Sequence, residues 1–262
     1  MKTSRIGLAL TTILLVGLVG GAARPSAGVG FSVLVFSKTL LYRHASITNG
    51  IAAIRKLGAV NHFRVDATED ANWFTPKTLA RYQVVIFLST SGDILDDQQQ
   101  SAFREFLERG GGLVGVHAAV AGDLATEGGW PWYGEALCAQ FSNHSAIVVA
   151  TIEVEDARNP STLGFPKRWV RTDEWYNFLA SPRGQVHVLA SLDETTYQGG
   201  TMGRDHPVAW CKVIGRGRMW YTALGHTEAS FTEPLFLQHL LGGIQVATGT
   251  QPVDFNPTRQ RR

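Results

Sequence analysis

A histidine stands between two apolar segments in "RGGGLVGVHAAVAGD", residues 109–123. Leu113 to Val116 predicts a short buried strand, and Ala118 to Val120 predicts the start of a helix. A joint of this kind exposes one side chain at the lip of a sheet, where an imidazole can transfer protons or bind a metal ion. His117 is therefore the first candidate catalytic residue, and the alternative is a histidine that only packs.

Acids and aromatic rings are adjacent in "RTDEWYNF", residues 171–178. In sugar sites, rings stack on the apolar face of the sugar and acids bind its hydroxyl groups. The pattern predicts Asp173 and Glu174 as catalytic groups and Trp175 and Tyr176 as substrate-binding groups, because acids with perturbed pKa values tend to lie in such clefts. The alternative is a salt-bridged loop with buried aromatic residues.

Two more histidines lie beside acids. His226 is followed two residues later by Glu228, an acid that can orient the imidazole, and both are predicted to be catalytic. Asp205 and His206 precede a predicted strand and are predicted to bind substrate. A His-Pro step is also typical of a simple turn into a strand, so that alternative stays open.

Polar residues also follow the predicted strands of the first half. Arg43 and His44 lie in "RHAS" after the first strand, and Ser89 follows the third. Ligands of parallel α/β sheets bind outside the carboxyl ends of the strands. We therefore expect Arg43 and Ser89 to contact substrate.

A metal site is a further prediction, with His44, His117 and His226 as ligands. Zinc or manganese would accept two or three histidines and a carboxylate. The sequence has no HxH or HExxH pattern, so these ligands would meet only in the folded chain.

Strands and helices alternate in the first half of the chain and would position these residues. Strands are predicted at 31–37, 63–67, 84–88 and 113–116, and helices at 46–57, 75–82 and 96–109. Continuous apolar strands between helices predict a parallel sheet covered on both faces. In the second half, strands are predicted at 146–154 and 186–191, a hairpin at 208–222 and a closing helix at 234–247.

The composition is that of a globular protein. The 262 residues are 44% hydrophobic and 18% charged, which suits one large α/β domain, predicted for residues 31–249. The formal net charge is +2, but five positive charges lie in the first 23 and last four residues. Subtracting those five leaves −3 on the body, which argues against a nucleic-acid partner.

Residues 1–23 have the pattern of a secretory signal peptide. Lys2 and Arg5 precede an apolar core and then small residues, so we expect a secreted or periplasmic protein without a transmembrane segment in its mature form. The alternative is a retained membrane anchor. Residues 250–262 are predicted to be a disordered basic tail. The two cysteines, Cys138 and Cys211, suit either one disulfide or two buried thiols.

Six motifs in order resemble the ThuA-like (trehalose utilisation) family over roughly residues 31–248. They are "LVFSKTLLYRHASITNGIAAIRKLG", "VVIFLSTSGDIL", "GGGLVGVHAAV", "TDEWYNF", "LDETTYQGGTMGRDHPVAW" and "GHTEASF…FLQHLLGGI". The resemblance implies a flavodoxin-like three-layer α/β sandwich with a mainly parallel central sheet, related to class I glutamine amidotransferases. It also implies a role in sugar catabolism, including trehalose and keto-sugar processing, and some members of the family look metal-binding.

The resemblance also gives His117 a position. Amidotransferases of this superfamily carry a cysteine nucleophile at the strand-to-helix elbow and a later His-x-Glu. In this sequence "HTE" matches the later motif, but His117 stands at the elbow in place of the cysteine. Amidotransferase chemistry through a thioester is therefore not available.

Three functions are compatible with these residues. The first is an exported, metal-dependent or metal-free enzyme that acts on a sugar, keto-sugar or glycoside by elimination, isomerisation or hydrolysis. The second is a non-catalytic carbohydrate-binding module, and the third is a structural domain whose polar residues form interior pairs. Convergence of His44, His117, Glu174 and His226 in an open cleft would favour the enzyme.

Overall fold

The computed structural model describes residues 30–121 and 130–259. The predicted signal peptide at residues 1–23 lies outside the described residues. In the described part of the chain, no helix is long and apolar enough to cross a membrane. Cys138 and Cys211 are both free thiols; Cys211 is buried, as the second alternative predicts, whereas Cys138 is partly exposed.

The first half alternates strands and helices, as the apolar periodicity predicts. The strands are β1 (Ser32–Phe36), β2 (Arg64–Thr68), β3 (Val84–Leu88) and β4 (Gly112–Val116), and the helices are α1 (Ile47–Asn61), α2 (Pro76–Leu79), α3 (Asp97–Glu108) and α4 (Pro131–Leu137). Strands β3 and β4 are buried along their whole length because helices cover both faces. The Phe87 ring packs on α3 and α4, whereas the neighbouring Leu88 faces Gly50 of α1.

The second half contains long strands with few helical residues between them. Its elements are β5 (Phe141–Val154), β6 (Arg168–Phe178), β7 (His187–Asp193), β8 (Pro207–Ile214), β9 (Gly217–Thr222) and α5 (Pro234–Thr248). The hairpin predicted at residues 208–222 is confirmed by the antiparallel register of β8 and β9. Strand β6 is not predicted from the sequence, because "RTDEWYNF" mixes charged, polar and aromatic residues.

All nine strands of the described chain form one mixed sheet, in the order β2-β1-β3-β4-β9-β8-β7-β5-β6. The α/β class is confirmed, but the mainly parallel sheet is corrected. Pairing is parallel from β2 to β9 and antiparallel from β9 to β6. A parallel pair needs a long crossover, usually a helix, and no α-helix lies between β5 and β9.

The segment before residue 259 contacts the body through Thr258. The Thr258 backbone N–H donates to the Val186 carbonyl at 2.9 Å, and its carbonyl accepts from the Gly184 N–H at 3.1 Å. The Thr258 hydroxyl accepts a further hydrogen bond from the Val188 N–H at 2.9 Å. These backbone partners hold a segment whose composition alone predicts disorder.

Candidate functional site

His117 lies directly after β4, in a backbone conformation that few side chains adopt. Its φ is +51°, and such left-handed residues are strained and cluster at functional sites. The strain is held by two hydrogen bonds: His117 Nδ1 donates to the Ala223 carbonyl at 2.8 Å, and the Tyr221 hydroxyl donates to the His117 carbonyl at 2.8 Å. Because Nδ1 carries the proton, the lone pair of this fully buried ring is on Nε2, which lies 3.1 Å from His226 Nδ1.

His226 follows β9 in a loop that Asp173 holds from the interior. The Asp173 carboxylate accepts the backbone N–H of Gly225 at 2.9 Å and that of His226 at 3.1 Å. The same carboxylate forms a buried ion pair with Arg171 at 2.8 Å. Asp173 therefore positions the His226 backbone and is itself fully buried.

His44 lies in the loop between β1 and α1 and is buried, but its Nδ1 has no hydrogen-bond partner. Its ring centroid is 4.7 Å from that of His117 and 5.0 Å from that of His226. Burial, and then the neighbouring His117 and His226, lower the pKa of His44 to about 3. The imidazole is consequently neutral near pH 7 and offers a lone pair.

Glu174 completes the cluster from β6. Its Oε2 lies 3.0 Å from His226 Nδ1 and 3.6 Å from His117 Nε2. Burial alone would raise the pKa of Glu174, but the neighbouring His117 and His226 outweigh it and lower the pKa to about 2. Because successive side chains of a strand point to opposite faces, Glu174 faces this cluster while Asp173 faces the interior.

The cluster of His44, His117, Glu174 and His226 fits a divalent metal ion. Each residue offers one ligand atom, and the four atoms lie within 4.8 Å of one another. Three imidazoles and a carboxylate are a ligand set that zinc and manganese accept. The Nδ1–H bond of His117 to a carbonyl is also typical of metal-binding histidines.

An open cleft of about 610 Å³ lies over the cluster. Tyr176 forms part of its wall, with its ring centroid 4.1 Å from that of His117. His144 also lines the cleft, and its Nδ1 lies 3.1 Å from Glu174 Oε1. Leu41, Tyr42 and Phe141 form the apolar part of the wall.

The structure brings five of the predicted site residues together: His44, His117, Glu174, Tyr176 and His226. Asp173 adjoins them from behind. Trp175, predicted to stack on substrate, is only 1% exposed, and its indole N–H donates to the Val148 carbonyl at 3.0 Å. It belongs to the core because it shares the inward face of β6 with Asp173.

The remaining predicted residues do not line the cleft. Arg43 is exposed and pairs with Glu69, and Glu228 is exposed at the start of a short 3-10 helix (Glu228–Thr232) after the His226 loop. Asp205 pairs with the buried Arg183.

His206 and Ser89 are buried. His206 contacts Glu194 at 2.8 Å and the Tyr176 carbonyl at 2.8 Å, so it supports the cleft wall from behind. The hydroxyl of Ser89 has no partner in the described structure, and its φ of +47° matches the strained elbow at His117 on the adjacent strand.

Tyr42, Phe141 and His144 are not identified as site residues by the sequence patterns. Tyr42 stands two residues before His44, and this proximity was the available signal. His144 lies at an irregularity of the β5–β6 register between His144 and Ile147, which alternation of side chains along a strand does not predict.

The sequence model of the family described as "ThuA: Trehalose utilisation" matches residues 32–247. A ThuA-like protein from Bacteroides uniformis ATCC 8492 superimposes with a TM-score of 0.73 at 26% identity, covering 87% of this chain and 95% of that one. A ThuA-like protein from Parabacteroides merdae ATCC 43184 gives 0.67 at 22% identity, with the same coverage of 87% and 95%.

Larger proteins share the fold. A β-galactosidase from Bacillus circulans sp. alkalophilus gives a TM-score of 0.52 at 18% identity, over 84% of this chain but 31% of that one. This likeness concerns the fold alone. Comparison with curated proteins finds no match.

Proposed function

The chain belongs to the ThuA family, and from that premise we propose that it is an exported, metal-dependent enzyme of carbohydrate catabolism acting on a sugar, keto-sugar or glycoside. One observation carries the proposal: His44, His117, Glu174 and His226 converge, and His44, Glu174 and His226 line an open cleft. The buried and unpartnered Nδ1 of His44 costs stability, so a purely structural role explains this residue poorly.

His44, His117, Glu174 and His226 would hold the metal ion. A divalent metal in this site would polarise a carbonyl or hydroxyl oxygen of the sugar. Two of these side chains are preorganised: the Ala223 carbonyl fixes the tautomer of His117, and Asp173 fixes the backbone of His226.

Two further residues would act on the ligand itself. Tyr176 is packed against His117 and limits how deeply a sugar enters the cleft. His144 Nδ1 contacts Glu174 and the Ser145 carbonyl. Its Nε2 is therefore the ring nitrogen that can exchange a proton with a sugar hydroxyl or an acidic C–H. A carbonyl beside the reacting carbon makes that C–H acidic, which suits elimination or isomerisation, and a bound water suits hydrolysis.

The test is turnover of glycosides and their 3-keto derivatives by the mature protein, before and after chelation and with added zinc or manganese. We expect activity that is lost on chelation and restored by metal. Alanine variants of His117, Glu174 and His226 should each lose turnover to a similar degree, because groups that act as a unit give non-additive losses.

The matched control is His62→Asn, an exposed histidine at the end of α1 whose φ of +60° asparagine tolerates. It should retain full activity. Saccharide binding without turnover, unaffected by the histidine variants, would instead indicate a carbohydrate-binding module. The leader pattern supports export. The test is the intact mass of the exported protein, which should correspond to a chain that begins just after residue 23 or shortly beyond.

A further inference from the structure

Three large apolar side chains in succession are exposed at the rim of the cleft. Leu40, Leu41 and Tyr42 are 58%, 57% and 66% exposed, respectively. Leu41 and Tyr42 line the cleft itself. A contiguous exposed apolar patch on a protein surface commonly marks a binding site.

The loop that carries these side chains is fixed in place. The Leu40 N–H donates to the Ser91 carbonyl at 2.8 Å, and the Ser91 hydroxyl donates to the Tyr42 carbonyl at 2.9 Å. The loop also packs closely on Gly92, where an added Cβ would lie 2.9 Å from Leu40 Cβ. The ring of Tyr42 is therefore presented to solvent by a held backbone, which reduces the entropy lost when a ligand binds.

The rim and the floor of the cleft differ in chemistry. The floor is polar, with His44, Glu174 and His226, whereas Leu41 and Tyr42 form an apolar rim. The two are contiguous, because the Tyr42 ring meets the His44 ring edge-on at 4.8 Å. A ligand that fills both needs a polar unit and, beside it, a second unit with an apolar face.

We propose that Tyr42 and Leu41 form a second saccharide subsite, which binds the apolar face of a pyranose ring next to the unit bound over the cluster. The inference rests on the proposed function, and it makes the ligand a glycoside of at least two linked rings. The concave shape and the volume of about 610 Å³ are those of a small-molecule site. A pyranose presents axial C–H groups on one face, which an exposed tyrosine ring covers in the way it covers other flat apolar groups.

The test compares disaccharides with their monosaccharides by calorimetry on the metal-loaded protein. The probes are trehalose, maltose and lactose against glucose and galactose. Tyr42→Ala should weaken disaccharide binding about tenfold and leave monosaccharide binding within about twofold, and Tyr42→Trp should restore it. Metal content, measured in each variant, should equal that of the parent.

Leu163→Ala is the matched control for Leu41→Ala, because Leu163 is 58% exposed and does not line the cleft. We expect Leu41→Ala to weaken disaccharide binding and Leu163→Ala to have no effect. Equal losses for disaccharides and monosaccharides in Tyr42→Ala, or no loss at all, would overturn the subsite alone. If the parent protein binds none of the five sugars, the carbohydrate function fails and the subsite fails with it.

Discussion

At the scale of single residues, packing alone does not explain why His44 is buried. Its Nδ1 is enclosed without a hydrogen-bond partner, and the burial lowers the pKa to about 3. An unsatisfied buried polar atom costs roughly 1–3 kcal/mol. A bound metal ion would offset this cost, and His117, Glu174 and His226 each place one further ligand atom close to His44.

Replacement of His44 by phenylalanine separates stability from function. His44→Phe keeps an aromatic ring and removes the unpartnered nitrogen, so the metal-free variant should be as stable as the parent or more stable by about 1 kcal/mol. Metal affinity should fall because one ligand is lost. Chemical denaturation of the metal-free proteins and metal titration check this, and a destabilised variant that still binds metal normally would contradict the role given to His44.

Four residues of the cluster could be predicted from sequence because each stands at a strand end or in an acid-rich motif. His117 follows an apolar run, and Glu174 lies in "RTDEWYNF". The different roles of Asp173 and Glu174 could not be predicted, because they depend on which face of β6 meets the cleft. The pairing of β6 with its neighbouring strand determines which of its faces meets the cleft.

At the scale of elements, strand β6 joins the core to the cluster. Arg171 and Asp173 share its inward face, and the buried ion pair between them fastens the loop after β9 through the Gly225 and His226 amides. Arg171 also binds Glu233 at 2.9 Å, immediately before α5. The position of His226 thus depends on three elements that are far apart in sequence.

Asp173→Asn tests this link without removing a ligand. The amide keeps the size of the side chain but loses the charge and one acceptor, so the Gly225 and His226 N–H groups are held less firmly. We expect metal binding to weaken about 10- to 100-fold, as for other residues that support metal ligands. Hydrogen exchange of the two amides should become faster, even in the metal-free protein.

The control for that variant is Asp66→Asn on β2, at the opposite edge of the sheet. Asp66 accepts a hydrogen bond from Tyr82 at 2.8 Å and does not contact the cluster. It should leave metal affinity and both amides unchanged. Unaltered metal affinity in Asp173→Asn would show that the His226 loop holds its place without the carboxylate.

The elements of the first half were predictable, and those of the second half only in part. Parallel strands buried on both faces have continuous apolar sequences, as in "VVIFL" of β3. Strand β6 mixes charged, polar and aromatic residues, because one of its faces carries the ion pair and the other the cleft. Its sequence therefore lacks the pattern by which strands are found.

At the scale of the whole molecule, several buried histidines make stability depend on pH. Burial is the main cause that lowers the pKa of His239 to about 4, of His44 to about 3, and of His206 below its ordinary value. Because each of these pKa values is lowered on folding, the unfolded chain takes up protons first as the pH falls below about 6.5. The contribution of these histidines to stability is therefore fully present above about pH 6.5, and it is lost as the pH falls from there toward their lowered pKa values.

His239 gives a test that is independent of the cluster. It lies in α5, where Nδ1 donates to the Ser161 carbonyl at 2.8 Å and Nε2 accepts from the Thr222 hydroxyl at 3.1 Å. Between pH 6 and 4.5, the free energy of unfolding should decrease less steeply in His239→Gln than in the parent, by up to about 1.4 kcal/mol per pH unit. Denaturation at several pH values measures both slopes, and identical slopes would contradict a neutral buried His239.

The topology of the whole sheet could not be predicted from the strands alone. Alternation in the first half suggested a mainly parallel sheet, but long strands joined without helices extend it in the antiparallel sense. This extension contributes β6, and with it Glu174 and Tyr176, to a site whose histidines His44, His117 and His226 follow β1, β4 and β9. The site therefore combines residues that follow strands of the parallel part with residues of the antiparallel part of the sheet.

The central claim is that His44, His117, Glu174 and His226 bind a metal ion, and anomalous diffraction tests it most directly. Crystals of the mature protein, grown after dialysis against zinc or manganese, would be measured at the absorption edge of that metal. We expect an anomalous peak within bonding distance of His117 Nε2 and the other three side chains, and its loss in His117→Ala. A peak elsewhere only, or none at saturating metal, would rule out a metal site at these residues.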